Sequence, residues 1–541
     1  MKSCLIVLIG SIAPLVLAQH HAHAPTGPEK PVALYKGLGV WRHPIATKNA
    51  DAQKFFDQGL SLLYGFNRYE ALRSFRKVAE LDPQSVMAHW GMAMSQGPYI
   101  NMDGDPSFDL KGACSAVAAG QKIATAPERE RAYLKTVAAW CPQNQPPDYQ
   151  PDAYIAAVRE LAERYPDDLD AQTLLAESLM IPVRWHSYSA DGSPAKGAIE
   201  CERILEGVLR RWPEHPGANH HYIHAVEASP TPERAIASAQ RLMGTVPSVG
   251  HLVHMPGHIW LIMGDWGQAA AVNERAAQVD REYFEATGVG PGSYTPYYLH
   301  NVHFILYARM MQGNRAATFR AGETMSEAAQ SLVQAIPPIA DAFLPMPWVA
   351  HARFGDWDGI LKIAQPPPSL RGATAVWHYV RALAFTARGD RTAAAKERAE
   401  LEKQKAQAPP EERVGQSRVI DVLTIAAEII DARMAASPAD AVPHWRKAVE
   451  IQDTLGYDEP PDWYYPVRES LGAALLRAGQ AVEAEKVLRD GVKRSPRNGR
   501  MLFGLMESLK AQGKTDGAES VRREFETVWK FSDVKLRIED L

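Results

Sequence analysis

A recurring set of small, aromatic and proline residues constrains the fold of this chain more than any other feature. In the segment from Ala52 to Ser85, Gly59, Ala71, Phe75 and Pro83 stand at positions 8, 20, 24 and 32 of a 34-residue unit. Small residues at positions 8 and 20 let two helices approach closely, and the proline ends the second helix. The pattern therefore predicts a unit of two antiparallel helices joined by a turn.

The pattern returns later in the chain, which indicates an array of such units. The equivalent positions are filled by Gly472, Ala484, Leu488 and Pro496, and in the middle of the chain Pro213 and Pro247 are 34 residues apart. These landmarks resemble the tetratricopeptide-repeat (TPR) family. The resemblance implies an all-α, TPR-type α-solenoid in which the first helix of each repeat lines a concave groove.

Segments 55–75, 220–229 and 251–260 also resemble a broad group of exported bacterial TPR proteins without a settled activity. That likeness implies export and fold but no reaction.

Two stretches rich in glycine, proline and aromatic residues, Pro182 to Lys196 and Glu282 to Tyr298, are predicted to be loops inserted into the array. We divide the chain into a signal peptide (1–18), an N-terminal extension (19–50), N-terminal repeats (51–180), central histidine-rich repeats (181–320) and C-terminal repeats (321–541).

The first residues have the form of a secretory signal. Lys2 precedes the apolar run from Leu5 to Leu17, and Val16-Leu17-Ala18 provides the small-residue pattern for cleavage. The run is shorter than the roughly 20 residues that cross a bilayer, and no second run of that length follows. We therefore expect a periplasmic or secreted protein without a membrane span after signal cleavage.

Charge and cysteine content exclude several partners and cofactors. Lys plus Arg (59) nearly balances Asp plus Glu (63) without a basic stripe, so we expect no nucleic-acid partner. The absence of CxxC and CxxCH motifs argues against haem and against a thiolate zinc site, and we expect no nucleotide cofactor. An oxidising compartment would allow Cys114 and Cys141 to pair, which leaves Cys201 free.

Histidines are concentrated in the central repeats and follow the repeat period. His220 and His254 are 34 residues apart, and so are His224 and His258, so each pair has one position in two successive first helices. At 100° per residue, His220, His224 and Glu227 lie within about 60° of arc on one helix face. The candidate metal ligands on these faces are His220, His224, His251, His254, His258, His300 and His303.

Such a column of imidazoles favours a bound cation. Adjacent helices pack about 8–10 Å apart, a span that two imidazoles can bridge to a shared ion. Without an ion, converging histidines lower one another's pKa and gain little stability. Imidazole suits several transition metals, and we expect copper or zinc before iron. Isolated histidines such as His43 and His378 are instead predicted to be hydrogen-bonding surface groups, and His221 a packing residue.

The chemistry of the expected site stays open at this stage. Six or more histidines could supply three ligands to each of two ions, which resembles the ligand type of tyrosinase-like and haemocyanin-like proteins. One ion with three histidines and an open position would suit a mononuclear oxidative or hydrolytic enzyme. Glu227 is predicted as a metal ligand, a catalytic general base or a hydrogen-bond acceptor that orients His224.

The substrate side of the site is predicted more coarsely. We expect a small molecule or a peptide in the groove, and no feature predicts an oligomeric state. Tyr294, Tyr297 and Tyr298, at the end of the second inserted loop, are predicted to cover the site as a lid, with a passive insertion as the alternative. The rival to a metalloenzyme is a non-catalytic TPR scaffold that binds a peptide or protein.

Overall fold

A computed structural model describes residues 30–102, 105, 107–142, 146–289 and 294–541. The predicted signal peptide (1–18) and residues 19–29 of the N-terminal extension lie outside the described residues. In the described part of the chain, no helix has the length and apolar character needed to cross a membrane.

The described chain is built almost entirely from α-helices. The N-terminal helices are α1 (Ala50–Tyr64), α2 (Arg68–Leu81), α3 (Val86–Met94), α4 (Leu110–Gly120), α5 (Glu128–Ala138), α6 (Pro151–Arg164), α7 (Leu169–Met180) and α8 (Ala198–Arg211). The central helices are α9 (Pro216–Val226), α10 (Ile236–Thr245), α11 (Gly250–His254), α12 (Pro256–Ile262), α13 (Trp266–Thr287) and α14 (Thr295–Met311).

The C-terminal half is also built mainly from α-helices. Its helices are α15 (Arg315–Leu332), α16 (Pro337–Phe343), α17 (Met346–Arg353), α18 (Trp357–Leu361), α19 (Arg371–Ala387), α20 (Arg391–Gln407), α21 (Val419–Met434), α22 (Pro438–Gln452), α23 (Arg468–Arg477), α24 (Ala481–Arg494), α25 (Gly499–Ala511) and α26 (Thr515–Trp529). Short 3₁₀ helices cover Ile181–Val183, Pro232–Ala235 and Ile538–Asp540, and strands β1 (Arg413–Val414) and β2 (Ser417–Arg418) form an antiparallel hairpin.

The first repeat shows why the sequence pattern produces this fold. The Asn49 side chain accepts hydrogen bonds from the first backbone N–H groups of α1, which caps the helix. A Cβ atom on Gly59 would lie 2.7 Å from the Phe75 ring, so only glycine allows α1 and α2 to pack this closely. Helix α2 ends at Leu81, just before Pro83.

Successive helices pack against one another along the whole chain, so the all-α, TPR-type α-solenoid is confirmed. The array also contacts itself across a superhelical turn. The indole Nε1 of Trp266 donates to the Arg497 carbonyl oxygen at 3.0 Å, and Ser532 Oγ donates to the Gly313 carbonyl oxygen at 3.0 Å.

The N-terminal segment 30–49 lies over the first repeats, and one buried carboxylate is among the groups that hold it. Asp170 accepts from Trp41 Nε1 at 3.1 Å and from the Tyr64 hydroxyl at 2.6 Å, and His43 Nδ1 lies 2.7 Å from its other oxygen. His43 is therefore a buried residue and not the surface group predicted from the sequence, because a polar partner from α7 compensates its burial.

Two further expectations concern the cysteines and the loops. Cys114 and Cys141 are disulfide-bonded, and Cys201 is free and buried, as expected. The second inserted loop is shorter than predicted, because helix α13 continues to Thr287 and α14 begins at Thr295. Gly288 (φ 70°) ends α13 in the left-handed conformation, which glycine adopts without strain. Its role is therefore to terminate a helix.

Candidate metal centre

The histidine columns of the sequence meet inside the solenoid. Helix α9 carries His220 and His224, α11 and α12 carry His251, His254 and His258, and α14 carries His300 and His303. His220 and His254 lie on the first helices of adjacent repeats, as the 34-residue register predicts. The rings of His220 and His251 are 4.9 Å apart, and those of His254 and His300 are 4.8 Å apart.

The cluster is enclosed by protein, which corrects the expectation that these rings line an open groove. His220 and His254 are each 0% exposed. Phe66, in the turn between α1 and α2, lies 4.5 Å from the His220 ring, and Phe304 of α14 lies 4.7 Å from the His254 ring. Aromatic side chains from a distant repeat and from a neighbouring first helix therefore cover the imidazoles.

Three of the histidines form a first trio, His220, His224 and His251, whose potential ligand atoms all lie within 4.8 Å of one another. His220 Nδ1 is 2.6 Å from the Tyr64 carbonyl oxygen, and His224 Nδ1 is 2.7 Å from Glu227 Oε1. Because these oxygens only accept, both Nδ1 atoms carry the hydrogen and both Nε2 atoms carry a lone pair. The Nε2 atoms of His220 and His251 are 3.1 Å apart.

A second trio, His254, His258 and His300, has its potential ligand atoms within the same 4.8 Å limit. His254 Nδ1 lies 2.6 Å from Asn273 Oδ1, and the Asn273 amide nitrogen donates to the Ala269 carbonyl oxygen at 2.8 Å. That second bond fixes the amide orientation, so His254 Nδ1 is the donor. The Nε2 atoms of His254 and His258 face each other at 2.7 Å.

Two buried carboxylates contact the Nδ1 atoms of His224 and His258. Glu227 reaches both trios, since its Oε1 lies 2.7 Å from His224 Nδ1 and its Oε2 lies 2.6 Å from His258 Nδ1. Glu459, from the loop between α22 and α23, places Oε1 3.0 Å from His258 Nδ1. Of the three roles predicted for Glu227, this geometry favours the acceptor that orients histidines. Sequence reasoning missed Glu459, and only its place in an acidic, proline-rich loop could have drawn attention to it.

The pKa values follow from burial and from these carboxylates. Burial, followed by neighbouring histidines, holds the pKa of His220, His251, His254 and His300 well below the usual range. Burial alone would also lower the pKa of His258, but Glu459 and Glu227 raise it to about 10. Against the effect of burial, His224 and His258 hold the pKa of Glu227 at about 2. Most rings are thus neutral and present lone pairs to one another.

Two other histidines of the cluster have different surroundings. His303 belongs to neither trio; its ring lies 5.9 Å from Phe343, and burial lowers its pKa to about 4. His221 stacks on His220 with ring centroids 5.0 Å apart. Both ring nitrogens of His221 are buried without a hydrogen-bond partner among the described residues. The prediction of His221 as a packing residue therefore agrees with its position.

Two of the three predicted lid tyrosines lie at the cluster. The backbone N–H of His251 donates to the Tyr294 hydroxyl at 3.0 Å, and the Tyr297 ring lies 5.0 Å from the His251 ring. Tyr298 faces away, with its ring 6.2 Å from Phe284. Tyr297 and Tyr298 belong to α14 and not to a loop, so Tyr297 is a fixed wall of the site and Tyr298 takes no part in it.

A small cavity of about 20 Å³ adjoins His224 and Glu227. Trp185, from the first inserted loop, and Tyr457, beside Glu459, line its other sides. A volume of this size is about that of one water molecule. The first inserted loop, for which the sequence suggested no role, therefore contributes a wall to the site.

Fold and cluster together define this chain as a TPR-type α-solenoid with a buried group of histidines. No known protein family matches its sequence, and no curated protein matches it. Among solved structures, it is similar to a human IFIT1 dimer with m7Gppp-AAAA (13% identity, 91% of this chain and 92% of that chain, TM-score 0.32). It is also similar to the APC/C heterotetramer Cut9–Hcn1 (12% identity, 91% and 96%, TM-score 0.29). Likenesses of this size assign no ligand, partner or activity to the chain.

Proposed function

We propose that this protein is an exported metalloprotein that holds a transition metal in its buried histidine cluster and acts as an oxidative or hydrolytic metalloenzyme. One observation carries the proposal. The Nδ1 hydrogens of His220, His224, His254 and His258 all point outward, to Tyr64, Glu227 and Asn273. Their Nε2 atoms consequently converge; those of His220, His224 and His254 carry lone pairs, and a cation would satisfy them while displacing the extra proton of His258, whose pKa is raised to about 10.

An empty cluster of this kind would be unfavourable. His224 Nε2 is buried without a hydrogen-bond partner among the described residues, and such an atom costs about 1–3 kcal/mol. Facing Nε2 atoms, as in the pair His254 and His258, need either a shared proton or a shared ion. Outward acceptors on the second nitrogen are the arrangement that protein metal sites use to fix the tautomer of a ligating histidine.

All-nitrogen ligation favours copper or zinc, with iron also compatible. Such an ion would supply Lewis-acid or redox chemistry when bound. The chain's own residues set the conditions: Glu227 orients a histidine of each trio, while Tyr297 and Phe66 exclude bulk water from the first trio. His300, which is partly exposed, marks the side from which a small substrate would enter.

The proposal of a periplasmic or secreted location rests on two observations. Residues 1–18 have the composition of a signal peptide, and Cys114 is paired with Cys141. Disulfides persist in oxidising compartments and are rare in the cytosol.

A scaffold function is the second candidate, and a separate surface favours it. A cavity of about 660 Å³ opens between α17, α19, α21 and α25 in the C-terminal half. Residues 534–537 and 539–541 form part of its wall, where Arg500 donates to the Asp540 carbonyl oxygen at 2.6 Å and Arg433 donates to the Leu541 backbone oxygen at 2.7 Å. A cavity of this size is large enough for a short peptide segment, as a peptide-binding scaffold would require.

Elemental analysis of protein purified without a histidine tag tests the metal proposal. We expect stoichiometric copper, zinc or iron in the wild type and a clearly reduced metal content in His224→Ala and His258→Ala. His378→Ala is the matched control, because His378 is also buried and also paired with a glutamate (Glu397, 2.6 Å), yet lies on α19. A wild-type protein that contains no metal and takes up none of these ions would refute the proposal.

A further inference from the structure

We infer that the centre holds two transition-metal ions side by side, one on His220, His224 and His251 and one on His254, His258 and His300, joined through a bridging water or hydroxide. This inference rests on the proposed metal site and specifies its nuclearity and the class of its small ligand.

The ligand atoms separate into two groups of the right size. Each trio keeps its atoms within 4.8 Å of one another, and a third group of the same compactness, His224, Glu227, His258 and Glu459, joins one histidine of each trio to the two carboxylates. Three nitrogens bound tetrahedrally at about 2.0–2.1 Å from one ion stand about 3.3 Å apart. The observed Nε2 separations, 3.1 Å for His220 and His251 and 2.7 Å for His254 and His258, need only small outward movements to reach that value.

The outer hydrogen bonds keep the trios separate. His220 is held by the Tyr64 carbonyl of α1, and His254 is held by Asn273 of α13, so opposite sides of the cluster are anchored to different helices. A single ion could reach all six rings only if these bonds broke. Two ions satisfy every converging lone pair with the bonds intact.

The two trios are nevertheless in direct contact. The rings of His224 and His258 are 5.3 Å apart, and those of His251 and His254 are 5.5 Å apart. Glu227 donates nothing and accepts from one histidine of each trio, so it fixes the position of one trio relative to the other. Ions in the two trios would therefore be near enough to share one small ligand.

The size of that ligand follows from the surrounding protein. Three histidines leave at least one position open on each ion. The adjoining cavity, about 20 Å³, touches His224 of the first trio and no histidine of the second, so it can hold a water-sized molecule beside one ion. Between the two ions, the adjacent histidine rings leave space for a small ligand only, and water or hydroxide is the smallest ligand that can bridge two adjacent cations.

Metal counting separates this inference from the proposed function. Metal-free, tag-free protein would be titrated with Cu(II), freed of loosely bound ion by gel filtration, and analysed for copper per chain. We expect two ions in the wild type and one in each of His220→Ala and His300→Ala. Circular dichroism confirms that the variants are folded; if His220→Ala is not, His251→Ala replaces it in the first trio.

The outcomes are distinct. A wild type that binds no copper overturns the proposed function as well, whereas exactly one copper per chain overturns only the inference of a pair. Loss of both ions from a folded single variant would overturn the assignment of independent trios. Electron paramagnetic resonance tests the bridge: we expect a Cu(II) signal well below the total copper in the wild type and a full signal in His300→Ala. A full signal from two coppers in the wild type would contradict a shared ligand.

Discussion

The Oε1 atom of Glu459 lies 3.0 Å from the Nδ1 atom of His258, although one residue belongs to the C-terminal repeats and the other to the central ones. The loop between α22 and α23 thus completes the environment of a histidine on α12. Burial and the neighbouring Glu227 raise the pKa of Glu459. Its carboxyl group is a structural link between two parts of the solenoid that the repeat period does not bring together.

Replacing Glu459 tests whether this link supports the metal centre. In Glu459→Gln we expect metal still to bind, but about 10-fold more weakly, because outer hydrogen-bond partners hold a ligating histidine in place. Competition with a chelator measures the affinity. Glu397→Gln, which changes the partner of His378, is the control and should have no effect. An unchanged affinity in Glu459→Gln would contradict the supporting role.

Acid should destabilise the metal-free protein. Burial, followed by His224, lowers the pKa of His221 to about 3, whereas a histidine in the unfolded chain titrates near about 6.5. Between these values the unfolded state binds the extra proton, so the free energy of unfolding falls as the pH decreases below about 6.5. The slope is at most about 1.4 kcal/mol per pH unit for each such histidine.

Urea unfolding of the metal-free protein at pH 7.5, 6 and 5 measures this effect. His220, His251 and His254 have lowered pKa values as well, whereas burial raises the pKa of Glu177 to about 7, which acts in the opposite direction, so the effect of one ring is measured as the difference between wild type and variant. His221→Gln should reduce the slope. Equal slopes in His221→Gln and in the wild type would contradict the lowered pKa of His221.

Close packing of α9 on α1 should be required for both fold and site. A Cβ atom on Gly217 would lie 2.4 Å from the Tyr64 ring, and the Tyr64 carbonyl is the partner of His220. Gly217→Ala should therefore cost about 1–3 kcal/mol of unfolding free energy through overpacking. Gly207→Ala on α8 is the matched control, since its nearest neighbour would be 3.7 Å away. We expect that variant to be neutral or up to about 1 kcal/mol more stable.

The Tyr294 hydroxyl should matter more than that of Tyr298. Tyr294→Phe leaves the buried backbone N–H of His251 without its acceptor, which should cost about 1–3 kcal/mol. Tyr298→Phe, whose ring is directed toward Phe284, should change the free energy of unfolding by less than about 0.5 kcal/mol. Chemical denaturation of both variants gives the comparison. Equal effects would remove the special role of Tyr294.

The repeat register could be predicted from the sequence because it depends on short-range spacing. Gly59 against Phe75, and His220 one period before His254, follow from a helix period and a fixed repeat length. The enclosure of the cluster could not be predicted, because Phe66 and Glu459 come from repeats whose distance depends on the superhelical twist. That twist accumulates from small rotations at each helix contact, which no single-residue spacing encodes.

The predicted ligand set illustrates the same limit. Seven histidines were expected to share one surface, and the structure brings six of them into two trios. His303 is excluded because its position on α14 turns it toward Phe343. The hydrogen-bond acceptors on the far side of the histidine rings, such as Asn273, could not be predicted from the sequence. A search for metal-binding residue types does not include an amide on a second helix, and no pattern distinguishes it.

The contacts of Trp266 with Arg497 and of Ser532 with Gly313 have a consequence for how this protein unfolds. In an open repeat array each unit touches only its neighbours, so unfolding can begin at one end and spread stepwise. Here the two contacts connect the C-terminal repeats to the central ones, so the C-terminal end cannot fray without breaking a contact with the middle of the chain. Residues 266–541 should accordingly melt in one cooperative transition, and a break in either contact should split that transition in two.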